Sequence, residues 1–230
     1  MPNYATTRDR VEHYFDRSAT KTWERLTSDA PVSGIRATVR AGRDRMRELL
    51  LAQLPTDLRG ARILDAGCGT GALAVELAQR GADVVAVDIS PALIAIARKR
   101  MPTGMHGAID WVAGDMLEAT RGGFDHAVAM DSLIYYDAPD IAALLGRAAD
   151  RVNGKFIFTI PPRTPALMAM WRVGKLFPRA DRSPTMVPQT TAGVANALRN
   201  AGIKGNLRDI ERVKSGFYIS NALVFEGGRK

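Results

Sequence analysis

Residues 63–71, Ile-Leu-Asp-Ala-Gly-Cys-Gly-Thr-Gly, limit what this chain can fold into more than any other stretch. Ile63 and Leu64 open an apolar, β-favouring run that ends at Asp65. Gly67, Gly69 and Gly71 then fall at every second position before a helical pattern starts at Ala72. That order makes a strand, a tight turn and a helix start. Glycines tolerate positive φ and let a ligand lie against bare backbone, while the first turn of the helix offers N–H groups with no intrahelical partner. The dinucleotide fingerprint G-x-G-x-x-G seats a pyrophosphate at such a turn. Here the glycines are one residue tighter, and Asp65 in front of them would repel a pyrophosphate but suit an ammonium group, directly or through water.

From this loop onward the sequence alternates. Residues 62–66, 83–88, 109–115, 124–130 and 155–160 read as strands, with helices to Arg80 and over 91–100 and 141–152 between them. This rhythm predicts an α/β, doubly wound parallel sheet covered by helices on both faces. A helix over 191–202 leads to two closing strands, 206–213 and 217–227, separated by Lys214, Ser215 and Gly216, and the hairpin brings the sheet to seven strands. Upstream, Val11, Tyr14, Phe15, Ala19, Thr22 and Leu26 mark an amphipathic helix over 9–26. Met46, Leu49, Leu50 and Leu54 mark a second, from about Arg43 to Pro55, with residues 27–36 read as a loop. Residues 1–55 are therefore expected to form an N-terminal helical arm on a domain spanning 56–230. Residues 161–190, proline-rich around a Met- and Trp-bearing stretch, break the alternation and are expected to form a lid inserted after the fifth strand.

The chain has 230 residues, with 32 Lys and Arg against 24 Asp and Glu, a formal charge of +8. That balance points to an anionic partner, whether nucleic acid, anionic lipid or an acidic small molecule, or to a generally basic surface. The insertion holds Arg163, Arg172, Lys175, Arg179 and Arg182 against Asp181 alone, five minus one, so half of the formal charge lies there. Cys68 is the single cysteine, which excludes an intrachain disulfide and a thiolate metal cluster. No long apolar run or signal-like start occurs, and the expected location is cytoplasmic. The three histidines, His13, His106 and His126, lie outside the strand-end motifs, and His126 reads as structural.

Taken with the acids that close the next strands, the glycine loop resembles the nucleotide loop of class I S-adenosylmethionine methyltransferases, whose ligand carries an amino acid where dinucleotides carry phosphates. The resemblance implies a Rossmann-like fold and a set of nucleotide contacts. Asp65, Gly67, Cys68, Gly69 and Gly71 would form the loop, and Asp88, with Ile89 beside it, would take both ribose hydroxyls. Asp115, with Met116, would read the adenine amino group, and Met130 in Ala-Met-Asp-Ser-Leu would lie beneath the methionine moiety. Tyr14 is expected to help cap the nucleotide. A nicotinamide dehydrogenase stays open as the alternative for this domain. Nucleic-acid N-methyltransferases usually carry Asn/Asp-Pro-Pro-aromatic after the fourth strand. This chain has Asp-Ser-Leu-Ile-Tyr-Tyr there, so nucleic acid is not the expected substrate.

Three stretches outside the loop, Val11–Asp29, Gly34–Met46 and Phe177–Met186, resemble the magnesium protoporphyrin IX O-methyltransferases of photosynthetic bacteria, and with the loop the likeness covers nearly the whole chain. It implies methyl transfer from S-adenosylmethionine to one propionate of magnesium protoporphyrin IX, giving a monomethyl ester in (bacterio)chlorophyll synthesis. The magnesium belongs to the substrate, so no protein-bound metal is expected. Tyr135 and Tyr136, where oxygenic members tend to have His-Tyr, would orient the carboxylate. Arg163, Arg179 and Arg182 would bind propionates, with Trp171 part of an apolar bed for the macrocycle. The resemblance also makes the large subunit of magnesium chelatase a candidate partner and implies association at the periphery of the photosynthetic membrane. Two rivals remain: a methyltransferase for another amphiphile such as a quinone precursor, and a basic nucleic-acid-binding protein.

Overall fold

A computed structural model describes residues 4–16, 20, 24, 27, 34–116, 122–165, 168 and 185–228. Among the described residues α1 (Tyr4–Tyr14) and α2 (Gly34–Leu51) precede the sheet. The alternating unit follows as β1 (Arg62–Ala66), α3 (Ala72–Gln79), β2 (Asp83–Asp88), α4 (Pro91–Arg100), β3 (Ala108–Ala113), β4 (His126–Ala129), α5 (Ala138–Ala149) and β5 (Lys155–Ile160). Then come α6 (Thr191–Asn200), β6 (Gly205–Ser215) and β7 (Tyr218–Gly227). One seven-stranded sheet has the order β3-β2-β1-β4-β5-β7-β6. The first five strands are parallel, and β7 runs antiparallel between β5 and β6. Strand order reverses beside β1, and the C-terminal ends of β1, β2 and β4 converge there, which is where open sheets bind ligands.

The period-two alternation of the strands divides the core. Leu64, Val85, Ala127, Phe156 and Leu223 face one way, onto α5 and α6. Their neighbours Ile63, Val84, Val128, Ile157 and Val224 face the other way, onto α2, α3 and α4. Helix starts are capped where a side chain is on hand: Ser90, Asp137 and Thr190 each accept a backbone N–H at the start of α4, α5 and α6. Gly71 starts α3 in the left-handed region with no side-chain cap. His126 is structural in its role here, for its Nδ1 accepts the Lys155 N–H at 3.1 Å.

Helix boundaries depart from the sequence pattern in three places, the mildest being α5, which begins at Ala138 and ends at Ala149 where the pattern gave 141–152. α2 begins at Gly34, well ahead of Arg43, because its first half buries no large apolar side chain; Thr38 and Gly42 are small enough to lie on the β6–β7 hairpin instead. α1 begins at Tyr4 and not at residue 9. The closing hairpin is also tighter than the sequence suggests: Ser215 pairs with Tyr218, leaving Gly216 and Phe217 as a two-residue turn. The insertion leaves and returns at one point, where Arg163 N–H donates to the Gln189 carbonyl and Gln189 N–H to the Pro161 carbonyl. Trp171, Arg179 and Arg182 lie outside the described residues.

Leu77 of α3 is fully buried against the sheet. Leu77→Ala should lower unfolding free energy by about 2–5 kcal/mol through lost burial and a residual cavity. Urea denaturation, read as a drop in midpoint at unchanged slope, checks it.

Candidate active site

A cavity of about 400 Å³ opens at the strand ends, within the range that holds one small organic ligand. Its floor is the loop after β1. Gly67, Gly69 and Gly71 all have positive φ. Gly67 has a second reason to lack a side chain, since a Cβ there would stand 2.2 Å from the Ser132 Cβ. Ser132 is itself fixed, donating to the Ala66 carbonyl at 2.7 Å. At Gly69 the same Cβ position has no atom within 4 Å, so the backbone faces the open cavity. Gly71 does not line the cavity. It turns toward the Trp111 ring, which a Cβ would approach to 2.4 Å.

The loop is tied to β2. Gly67 and Cys68 N–H groups both donate to the Val87 carbonyl, at 2.7 and 3.0 Å. Asp88 completes the tie by accepting Gly69 N–H on Oδ2 at 2.8 Å and Ser90 N–H on Oδ1 at 2.9 Å. Burial pushes its carboxyl up to about 6, against the pull of those two N–H groups. Asp65 is 1 % exposed and its Oδ2 has no hydrogen-bond partner. Burial raises its carboxyl to about 7, Asp88 adds to the shift and the Ala74 N–H opposes it. A buried carboxylate oxygen without a donor, lining a cavity, is the counterpart an ammonium group requires. The Cys68 thiol is likewise pushed up, first by burial and then by Asp88 and Asp65, so it is held as the neutral thiol.

Ile89, Asp115, Met116 and Met130 also line the cavity, together with Tyr135 and Tyr136. Asp115 is engaged from α1: Tyr4 OH donates to Oδ1 at 2.7 Å and Arg8 Nη1 to Oδ2 at 3.2 Å. Tyr4 also stacks on Tyr136, with ring centroids 5.0 Å apart. The two neighbouring tyrosines serve opposite ends of the cavity. Tyr136 feels Asp115 and Arg8, whereas Tyr135 feels Asp131 and Arg43. Burial pushes both phenols well above their ordinary range, so both are neutral donors at physiological pH. Tyr14 is outside the lining. Tyr4, Arg8 and Val11 of α1 and Phe15 just after it recur every three or four residues and form that wall, and Tyr14 meets the edge of Phe15. Arg163 is exposed at the exit of β5 and is likewise outside the lining.

The residues that sequence reasoning missed lie on α1, as Tyr4 and Arg8, on α2 and just after β4. Arg40, Arg43 and Arg47 form one helical stripe along the cavity. Arg47 pairs with Asp44 and Glu76, and Arg43 Nη1 donates to Asp131 Oδ2 at 2.7 Å. Asp131 is the one non-glycine with positive φ among the described residues, at 56°. Its N–H donates to Thr159 Oγ1 at 2.8 Å, and its Oδ1 accepts Tyr218 OH at 2.9 Å. The spacing of arginines at 36, 40, 43 and 47 was the available signal, hidden because no apolar periodicity announced a helix there.

A methyltransferase domain family matches residues 63–154, and a family described as the magnesium-protoporphyrin IX methyltransferase C-terminus matches residues 129–226. The magnesium-protoporphyrin O-methyltransferase of Rhodobacter capsulatus is 53% identical, over 98% of this chain and 99% of its own. A ubiquinone biosynthesis O-methyltransferase of Xanthomonas oryzae is 32% identical, over 67% of this chain and 64% of its own. Among solved structures, magnesium protoporphyrin IX methyltransferase from Synechocystis with bound S-adenosylhomocysteine superposes with a TM-score of 0.78 at 25% identity, covering 96% of this chain and all of that one. The likeness to the Rhodobacter protein runs through the arm, the loop and the closing hairpin alike, whereas the ubiquinone relative shares only two thirds of the chain. With a class I S-adenosylmethionine-dependent fold and this match along its whole length, the chain belongs to the magnesium-protoporphyrin IX methyltransferases.

Proposed function

We infer that the protein transfers the methyl group of S-adenosylmethionine to a propionate carboxylate of magnesium protoporphyrin IX, giving the monomethyl ester. The observation that carries this reading is the 53% identity over 98% of the chain, joined to a nucleotide cavity whose buried Asp65 oxygen lacks a donor. The nucleotide supplies an electrophilic methyl group on a sulfonium. The propionate oxygen forms the new O–CH₃ bond as the S–CH₃ bond breaks, leaving a neutral thioether.

The protein's part is placement. A propionic acid has an ordinary carboxyl pKa, about 4.3, so the nucleophile is already ionised and no side-chain base is needed. Asp65 would receive the amino group of the nucleotide, and Arg43, held by Asp131, would balance its amino-acid carboxylate. Asp88 would take the ribose, since a carboxylate that accepts two backbone N–H groups retains lone pairs for more. Asp115, Ile89 and Met116 would surround the base, with the α1 contacts at Asp115 closing over it. Tyr135, on the Asp131 side, would orient the acceptor as a neutral donor. Walls from α1 and α2 exclude water, so proximity and desolvation carry the rate.

The same reading extends to delivery. A formal charge of +8 and a poorly water-soluble substrate support arrival of the macrocycle from the large subunit of magnesium chelatase, with action in the cytoplasm at the periphery of the photosynthetic membrane. It also assigns Trp171, Arg179 and Arg182 to a lid over the macrocycle. Incubation with methyl-labelled S-adenosylmethionine and magnesium protoporphyrin IX, followed by isolation of a labelled monoester, is the direct test. A labelled quinone precursor with an unlabelled porphyrin would transfer the assignment to the quinone branch.

Asp65 gives a pH prediction. Its folded pKa of about 7 lies above the ordinary 3.8, so it favours the fold while protonated, and that contribution is lost as pH rises from about 4 through 7. An ammonium ligand requires the ionised form. Nucleotide affinity should therefore rise about tenfold between pH 6 and pH 8, with proton release on binding, and Asp65→Asn should remove the dependence. Calorimetry in buffers of different ionisation enthalpy reads both quantities. At saturating nucleotide kcat should show no further loss attributable to a base near neutrality.

Asp88→Asn should weaken nucleotide binding by about 1.5–3 kcal/mol through loss of a charge-assisted acceptor. A folded variant that binds with unchanged affinity would remove Asp88 from the site.

A further inference from the structure

A cavity of about 400 Å³ cannot hold a nucleotide and a tetrapyrrole together, so the macrocycle needs an apolar surface outside it. Two of the most exposed large apolar side chains among the described residues belong to elements that pack on each other, α2 and the β6–β7 hairpin. Phe217, 70 % exposed, is at the tip of the β6–β7 turn, and Ile35, 59 % exposed, is in the first turn of α2.

Their proximity follows from how α2 lies on the hairpin. Ile35, Thr38 and Gly42 share one face of the helix at spacings of three and four. Gly42 is flush against the Tyr218 ring, where a Cβ would come within 2.6 Å. One turn earlier Thr38 fills the space beside Gly216, and its carbonyl accepts Ser215 Oγ at 2.8 Å. One turn earlier again, Ile35 extends the same face toward the end of the hairpin that carries Phe217. Arg40 belongs to the adjacent stripe, which lines the cavity. The first turns of α2 thus carry an exposed apolar side chain, Ile35, on the face toward the hairpin and a guanidinium, Arg40, on the face toward the cavity.

We propose that Ile35 and Phe217 form a platform for one face of the tetrapyrrole, and that Arg40 receives the propionate leading from it into the cavity. The proposal rests on the porphyrin reading above. Its chemistry is that of an amphiphilic dianion: a flat apolar body takes exposed apolar side chains, and a carboxylate takes a guanidinium fork. This places substrate recognition on the arm and the hairpin, in addition to the insertion.

The test compares wild type, Ile35→Ser/Phe217→Ser and Arg40→Gln. Porphyrin affinity is read from the absorbance shift of magnesium protoporphyrin IX and of its dimethyl ester, and nucleotide affinity from calorimetry. The double variant should bind both porphyrins at least tenfold more weakly, with nucleotide affinity kept within twofold as proof of an intact fold. Arg40→Gln should weaken binding of the diacid about tenfold and leave the dimethyl ester within twofold. Arg40→Lys should recover part of the diacid affinity. Unchanged porphyrin affinity in the double variant overturns the platform, as does a defect confined to sedimentation with anionic vesicles, which would make the tip a lipid contact. Equal losses for diacid and ester overturn the role of Arg40. Wild type that neither binds nor methylates the diacid would instead overturn the porphyrin reading itself.

Discussion

The site depends on a carboxylate tie between two strand ends. Asp88 accepts the Gly69 and Ser90 N–H groups at once, and the Val87 carbonyl takes those of Gly67 and Cys68. Three of these bonds, from Gly67, Cys68 and Gly69, hold the turn after β1 against the end of β2, and the fourth, from Ser90, fixes the Asp88 carboxylate. They also leave a second carboxylate, Asp65, buried a short way off without a donor on Oδ2. Two buried carboxyls this close raise one another's cost of ionisation. A cationic ligand group relieves that cost, so the protein's own electrostatics favour binding of an ammonium there.

Three of the cavity's arginines are held by carboxylates. Arg8 meets Asp115, Arg43 meets Asp131 and Arg47 meets Asp44 and Glu76. Each arginine comes from α1 or α2, while Asp115, Asp131 and Glu76 come from the sheet side. The arm is therefore fastened to the nucleotide domain by the same side chains that face the ligand. This suits methyl transfer to an ionised acid, where the chemistry asks for alignment and dryness in place of proton transfer. It also accounts for the scarcity of histidine: His126 supports β5 and takes no part in the cavity.

The nucleotide half of the site was legible in the chain because it obeys local rules. A strand-end acid, alternate glycines and a capped helix each need only a few consecutive residues, and Asp65, Gly67, Cys68, Gly69, Asp88, Ile89, Asp115, Met116 and Met130 all line the cavity. The roof followed a different logic. The first half of α2 is amphipathic between arginines and small residues, so its periodicity was invisible to a search for apolar stripes. Along α1 and just after it the wall is made by Tyr4, Arg8, Val11 and Phe15, and Tyr14 is outside the lining.

By itself the sequence determined the strand–helix rhythm, the parallel sheet and the glycine turn at the end of β1, since backbone periodicity and turn stereochemistry are short-range. Its motifs also carried the likeness that the 53% identical relative bears out. Only the tertiary structure decided which arginines reach the cavity, that Tyr135 and Tyr136 serve opposite ends of it, and that Asp131 joins α2, β5 and β7. Those choices rest on contacts between residues far apart in the chain, such as Arg43 with Asp131 and Asp131 with Tyr218. No local pattern encodes such a pairing, because each partner is placed by the packing of a separate element.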